Sequence, residues 1–520
     1  MKKTKYNDKF YRARTIEDVV AIGEQVDGMT VIYVDDLDAF FFKNKEALGL
    51  KPVIAKSEHH IVMARSSMYD VELREVPEFD LSIYDGKNPA DIPLTRTGIV
   101  RKKFKQECSK DSVYKRYVQS LTIEPEEMML LRRAFSGGWC GINPIYKGQL
   151  CKGVVSRDKT SAYPYQMLSR LFPASKGVRV NDKFLTKETL DRYFDCYLCV
   201  FDIKFYGLKA RENVFALPLL YDHAVNAKNE KVVDSKIESA DEVETAMTNV
   251  DFSVFKKCYE WSGFSICNLW VYRPAPLPYI IRRLVRELYD KKSEAKRMYG
   301  DEDARTEAAK IDVNSIYGMF VTDVISPDIY AENGELMDND MSVDMSKLEK
   351  YNASKTRFLS YTWGLFVTAW QRKELFDKIL ELGEDWIYSD TDSIKYFDDG
   401  NRESKKDLGD WKIDGLYRFF KSYGSKNYAY EGNGGKRRIS ISGLSKDGGL
   451  EYLDKVLPGG LWENYKEEIY VPEKYSGRVC RVYDEQTKTI TEKRTAFDNS
   501  ETGRFKEYID GIKYKERIRK

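Results

Sequence analysis

Apolar and aromatic residues recur along this chain in short alternating runs separated by polar turns, with helical periodicity between them. The sharpest such pattern is Asp385-Trp386-Ile387-Tyr388, then Ser389-Asp390-Thr391-Asp392-Ser393, then Ile394-Lys395-Tyr396-Phe397. It predicts two short strands joined by an acidic tip. Strands are also expected over residues 30–34, 61–64, 153–158, 196–206 and 264–272. Two more, 425–430 and 436–442, flank the turn Gly432-Asn433-Gly434-Gly435. Pro125-Glu126-Glu127-Met128 reads as a helix start, with proline and acids in the first turn. Helical patterns over 279–299 and 303–317, separated by Gly300-Asp301, predict a helical hairpin, and 366–382 predicts a long helix entering the acidic hairpin. Asn333-Gly334, between strand-like residues 329–332 and 335–336, predicts a further β-hairpin.

The 520 residues exceed one hydrophobic core, so two to four domains are expected. A net charge of +2 means that any nucleic-acid-binding surface must be local. One candidate is the 279–299 helix, which carries Arg282, Arg283, Arg286, Lys291, Lys292, Lys296 and Arg297 against Glu287, Asp290 and Glu294. The run Arg101-Lys102-Lys103-Phe104-Lys105 is a second, although a solvated face is the commoner meaning of such a run. The pair Cys196 and Cys199 has no second pair at zinc-ligand spacing, and the eight cysteines form no disulfide framework. With no apolar leader after Met1 and no run of 18 apolar residues, a soluble intracellular protein without membrane contact is expected.

Two carboxylates at one hairpin tip repel unless a cation lies between them, though a solvated turn is the alternative. Asp158, at the end of another strand, supplies a third carboxylate from a separate backbone segment, as a two-metal phosphoryl-transfer site requires. On the 303–317 helix, Lys310, Asn314 and Tyr317 share one face that could meet phosphate, backbone and base; a polar outward face is the bland alternative.

These segments carry a resemblance. Asp158-Lys159-Thr160-Ser161-Ala162-Tyr163-Pro164 resembles motif A of the family B DNA polymerases, Lys310 to Gly318 resembles motif B, and the acidic hairpin resembles motif C. Phe135-Ser136-Gly137-Gly138, Thr368-Ala369-Trp370-Gln371-Arg372 and Lys426-Asn427-Tyr428 stand where the protein-primed bacteriophage branch has its own signatures. The resemblance covers about residues 95–520 and implies an α+β right hand of palm, fingers and thumb, with a small N-terminal α/β domain. It implies an accessory domain over 1–94, palm over 95–169 and 359–475, and insertions over 170–278 and 322–358, the first like a terminal-protein region. Fingers would span 279–321 and thumb 476–520.

The same resemblance implies residue roles. Two Mg²⁺ ions, or Mn²⁺ in their place, would be held by Asp158, Asp392 and the Lys159 carbonyl, with Asp390 in support. Tyr163 would gate against a 2′-hydroxyl; Lys310 and Arg305 would meet the dNTP triphosphate; Asn314, Tyr317 and Gly318 would border the nascent pair. Arg372, Lys426 and Tyr428 would hold primer, and Phe135, Gly137 and Gly138 template; strand alternation would put Lys426 and Tyr428 on one face. DNA and dNTPs are the implied partners, with a terminal protein or a nucleic acid as primer and the cytoplasm of a bacterial host as the location. Departures are Thr306 where a lysine is usual, Gln371 where glycine or alanine is usual, Phe135 for tyrosine, and Arg157 before the motif A aspartate.

The N-terminal stretch is too short for the family's usual 3′–5′ exonuclease. Asp70-Val71-Glu72 and Asp35, Asp36 and Asp38 are read as surface positions, so no proofreading is expected. A catalytically silent DNA-binding scaffold is the alternative function, and a reverse transcriptase is disfavoured by Asp-Thr-Asp in place of adjacent aspartates.

Overall fold

The computed structural model describes residues 6–57, 60–77, 88, 92–94, 96–301, 303–322, 324–325, 329–332, 335–338, 345–405, 407–441 and 453–466, and strand backbones over 479–484, 489–494, 505–509 and 512–517. The chain forms two units. One comprises Met1–Gln106, Val324–Glu349 and Val479–Lys493; the other comprises Glu107–Asp323, Lys350–Arg478 and Arg494–Lys520. The turn Asn333-Gly334 lies outside the described residues, but the flanking strands Ile329–Glu332 and Glu335–Asp338 pair antiparallel as expected. Most of the expected boundary at 84–93 also lies outside the described residues.

The first unit is built on β1 (Tyr6–Arg12), β2 (Met29–Val34), β3 (Leu50–Ser57), β4 (His60–Ser66) and β5 (Val71–Glu75), in the order β1-β2-β5-β4-β3. Helix α1 (Ile16–Gln25) starts at a Thr15–Asp18 capping box, and α2 (Leu37–Asn44) starts at Asp36, whose side chain accepts from the Ala39 N–H. Ile32, Val34, Leu37, Phe41 and Leu73 close the core between sheet and helices. The acidic residues here are consumed by structure: Asp38 accepts from the Ile61 N–H at 2.6 Å, and Glu72 is wholly buried. This corrects the surface reading of Glu72. Its carboxylate accepts from Arg65 and Arg74 (2.7 and 2.6 Å) and from the Tyr6 hydroxyl (2.8 Å).

Among the described residues the second unit contains two seven-stranded sheets. One joins β6 (Cys140–Ile142), β7 (Cys151–Lys159), β11 (Trp386–Asp390), β12 (Ser393–Phe397), β13 (Trp411–Gly424), β14 (Asn427–Gly432) and β15 (Arg437–Ile441). Their order is β15-β14-β13-β7-β12-β11-β6, antiparallel throughout. The second sheet lies in the 170–278 region and centres on β8 (Leu198–Ala210), between β9 (Lys236–Thr248) and β10 (Gly263–Tyr272). Side-chain alternation on β7 and β12 separates the two faces of the palm-like sheet. Val155, Ile394 and Tyr396 pack into a core with Trp386 and with Phe376 of α8 (Tyr361–Leu382). Asp158, Ser393 and Lys395 lie on the opposite face, in register across the β7–β12 pair. Helices α3 (Pro125–Ala134), α4 (Ala162–Ser169), α5 (Asn249–Cys258), α6 (Tyr279–Tyr299) and α7 (Ala304–Phe320) complete the frame.

Glu72→Ala should cost the first unit about 3 kcal/mol or more, because it leaves the buried Arg74 without its counter-charge. Thermal unfolding checks this; an unchanged midpoint would show that the guanidinium groups find other partners.

Candidate active site

Strand pairing alone brings the two principal carboxylates together. Ser393 of β12 is registered opposite Asp158 of β7, and the Lys159 N–H donates to the Asp392 carbonyl at 2.8 Å. Asp158 and Asp392, far apart in sequence, therefore sit on adjacent backbones. The tip between them is tight: the Asp392 N–H reaches the Asp390 carbonyl at 2.6 Å, and Thr391 takes a left-handed φ of 57°. Gly138 makes room for this tip, since a Cβ there would collide with Thr391, whose N–H donates to the Trp139 carbonyl at 2.8 Å. From the other side, Gln371 of α8 donates to the Thr391 carbonyl at 3.1 Å. Gln371, a departure in the sequence, is thus a strut of the hairpin.

The electrostatics follow from that crowding. Burial, then Asp158, then Asp390 push the Asp392 carboxyl up to about 7, and burial raises Asp158 despite Lys412. Asp390 is treated differently: the Lys426 ammonium pairs with it and the Thr391 hydroxyl donates to it at 3.0 Å. For that reason the three carboxylates do not converge, and among the described residues no cluster of three metal-ligating side chains is assembled. The donor set nonetheless fits a hard divalent cation: two crowded carboxylates beside backbone oxygens, with the Lys412 ammonium 3.3 Å from Asp158. Lys159 turns its own ammonium away, to Glu374 and to the Gly409 carbonyl (2.7 Å), so only its backbone borders the site.

The helices bring the rest. Ser161, at a left-handed φ of 50°, starts α4, and Tyr163 on that helix stacks on Tyr317 of α7 with ring centroids 4.3 Å apart. Lys310, Asn314 and Gly318 are exposed on α7, and open space surrounds Gly318. Arg305 lies over the Tyr299 ring and pairs with Asp303 at 2.9 Å. Lys292 of α6 is the cation that sequence reasoning left unassigned. It donates to the Ser161 hydroxyl at 2.7 Å, and burial followed by Lys412, Lys310 and Lys296 lowers its pKa. The basic face of the 279–299 pattern was the signal for it; which lysine faces Asp158 depended on the tertiary fold.

Two residues expected at the primer strand have protein partners. Arg372 is 7% exposed and spends its guanidinium on Asp251 (2.9 and 3.0 Å) and on the carbonyls of Ser136 and Gly137, so it anchors the Phe135–Gly138 turn and is not presented to a strand. Lys426 precedes β14 at φ 60°, so strand alternation does not set its direction. It still meets Tyr428 near the site, because its N–H donates to the Tyr388 hydroxyl (3.1 Å) and the Tyr428 ring lies 5.1 Å from that of Tyr388. Phe135 and Gly137 are half-buried.

Residues 98–401 match the family described as DNA polymerase type B, organellar and viral. The chain belongs to this family. Among curated relatives, the DNA polymerase of Bacillus phage Nf is 26% identical over 306 residues, 57% of this chain and 49% of that protein. That of Bacillus phage phi29 is 26% identical over 266 residues, covering 51% and 42%. The chain thus spans about half the length of the curated relatives it matches. In structure, Phi29 DNA polymerase complexed with primer-template DNA and incoming nucleotide aligns with a TM-score of 0.67 at 15% identity over 93% of each chain. The right-hand α+β polymerase fold expected from the motifs is therefore present. Among the described residues no helix is long and apolar enough to cross a membrane.

The raised Asp392 carboxyl has a pH signature. Between the usual 3.8 and about 7, the folded protein keeps a proton that the unfolded chain releases, so rising pH through that window destabilises the cation-free fold. Asp392→Asn should unfold at a higher temperature than the parent at pH 8 and differ little at pH 4. Equal midpoints at pH 8 would contradict the crowding.

Proposed function

We propose that the protein is a template-directed DNA polymerase, adding dNTPs to a primer 3′-hydroxyl by two-metal phosphoryl transfer. The observation that carries this is the pairing of β7 with β12, which sets Asp158 beside Asp392, with the Tyr163–Tyr317 stack and two lysines of the helical hairpin completing the site. Family membership supports it, and a solved relative of the same fold binds primer-template and incoming nucleotide.

In this reading Asp158, Asp392 and the Lys159 carbonyl hold divalent cations, Mg²⁺ or Mn²⁺, with Asp390 in support. Such cations, when bound, activate the attacking hydroxyl and neutralise the departing pyrophosphate. The remaining work falls to the chain. Lys310 and Lys292 face the triphosphate, while Arg305 is committed to Asp303. Tyr163, fixed by its stack on Tyr317, borders the sugar where a 2′-hydroxyl would project. Asn314 and Gly318 lie along the nascent pair. Lys426 passes from Asp390 to the primer, with Tyr428 beside it, and the Phe135–Gly138 turn meets template. The 170–278 and 322–358 regions serve as insertions of the phage branch, the first for a terminal protein, the second for processivity. Initiation on a terminal protein and replication of phage or mobile-element DNA complete this reading, and the similarity to phage polymerases supports it. Proofreading is absent in this reading, because the first unit's carboxylates are occupied by arginines, a cap and a backbone amide.

With Mg²⁺, the protein should extend a primed template. Asp392→Ala should lower the rate about a thousandfold or more, since metal-held charge is worth several kcal/mol, while DNA binding persists. Equal extension by the variant would remove the site assignment and favour the silent scaffold. A labelled primer held with metal and no nucleotide should stay full length; stepwise shortening would refute the absence of proofreading. Tyr163→Val should admit ribonucleotides, and unchanged sugar selectivity would end its gating role.

A further inference from the structure

Arg157 sits immediately before Asp158, and alternation points it to the sheet's other face. There its guanidinium is buried and donates to the Tyr396 hydroxyl (2.7 Å) and to the carbonyls of Glu403 (2.8 Å), Asn401 (3.0 Å) and Trp411 (3.1 Å). The same connection is fastened from the motif A side: the Thr160 N–H donates to the Asp410 carbonyl, the Gly409 N–H to the Thr160 carbonyl, and the Lys159 ammonium to the Gly409 carbonyl. The segment between β12 and β13 is thereby tied to Arg157, Lys159 and Thr160, and Lys412 follows it as the second residue of β13.

Lys412 is registered directly opposite Asp158 on the β13–β7 pair, with its Nζ 3.3 Å from Asp158 Oδ2. Three further lysines gather near it: burial lowers the pKa of Lys292, and Lys412, Lys310 and Lys296 lower it further. Cations brought together from a palm strand and two helices repel one another, and Asp158, Asp301 and Glu307 offset that charge only in part. Such a cluster is stable when an anion with several charges occupies it.

We propose that Lys412 is an exchangeable counter-ion, which neutralises Asp158 before nucleotide arrives and binds the nucleotide's phosphates once a divalent cation has taken its place. The proposal rests on the polymerase reading of this site. Its backbone anchoring by Arg157 keeps the ammonium at the carboxylate and limits its movement to the side chain. A permanent salt bridge would instead hold Asp158 in shape and leave phosphate binding to α6 and α7.

The two possibilities move opposite observables. Mn²⁺ binding to the nucleotide-free protein, read by the EPR signal of the ion, should be about fivefold tighter in Lys412→Met, the order expected for loss of a partly exposed competing ammonium. In primer extension the same variant should show a KM for dNTP raised about tenfold, as for loss of one charged phosphate contact. Lys412→Arg, which keeps the charge, should follow the parent in Mn²⁺ affinity, and the Lys412→Met difference should vanish when Asp158→Ala is added. Lys412→Gln, run in parallel, guards against a folding defect peculiar to the apolar side chain. Unchanged or weaker Mn²⁺ binding in both neutral variants, or an unchanged KM, overturns the exchange. Failure of the parent protein to extend any primer would instead overturn the polymerase reading, and the Mn²⁺ comparison would still decide whether Lys412 competes at Asp158.

Discussion

The repulsion between Asp158 and Asp392, held side by side by strand pairing, is the constraint around which this site is arranged. Neither carboxylate can relax away, because each belongs to a backbone locked in a seven-stranded sheet. Burial raises both, and the charges of Asp158 and Asp390 add to it at Asp392, which reaches about 7. A fold that keeps such a pair bears a cost that the Lys412 ammonium offsets in part and a bound divalent cation would offset further.

The surrounding residues divide into those that hold the frame and those that face the substrate. Gly138, Gln371, Arg372 and Arg157 hold it: one clears space for the hairpin tip, one props its carbonyl, one ties down the neighbouring turn, and one anchors the strand that delivers Lys412. Lys292, Lys310 and Lys412 gather on the Asp158 side of the site, and Lys426 pairs with Asp390. The distinction matters because a charged residue in a conserved-looking signature is easily taken for a ligand contact. Arg372 shows this: four of its five N–H donors go to Asp251 and to the carbonyls of Ser136 and Gly137.

Much of this was legible in the sequence because it is local. The helix Tyr279–Tyr299 matches its periodic pattern, and the acidic hairpin forms where it is expected, with a tip of two residues where the pattern reads as a five-residue turn. Short helices such as Lys187–Cys196 and α5 were missed, since ten residues flanked by strands carry little periodic signal. The long helix α8 begins at Tyr361, earlier than its pattern, because both its faces are buried there and amphipathicity disappears. Lys426 was misplaced by one turn residue with positive φ. Lys292 and Lys412 depend on cross-strand and cross-helix neighbours, which no linear spacing reports, and Arg157, opaque as a departure from the motif, becomes intelligible only once the β12–β13 connection is seen lying beneath it.

The central claim is that this paired-carboxylate site copies a template. It is tested most directly by single-turnover incorporation on a primed DNA with one templating base, offering each of the four dNTPs separately with Mg²⁺. The account predicts rapid addition of the complementary nucleotide and addition of the other three slower by orders of magnitude. Equal incorporation of all four, or none by the parent protein, would contradict it.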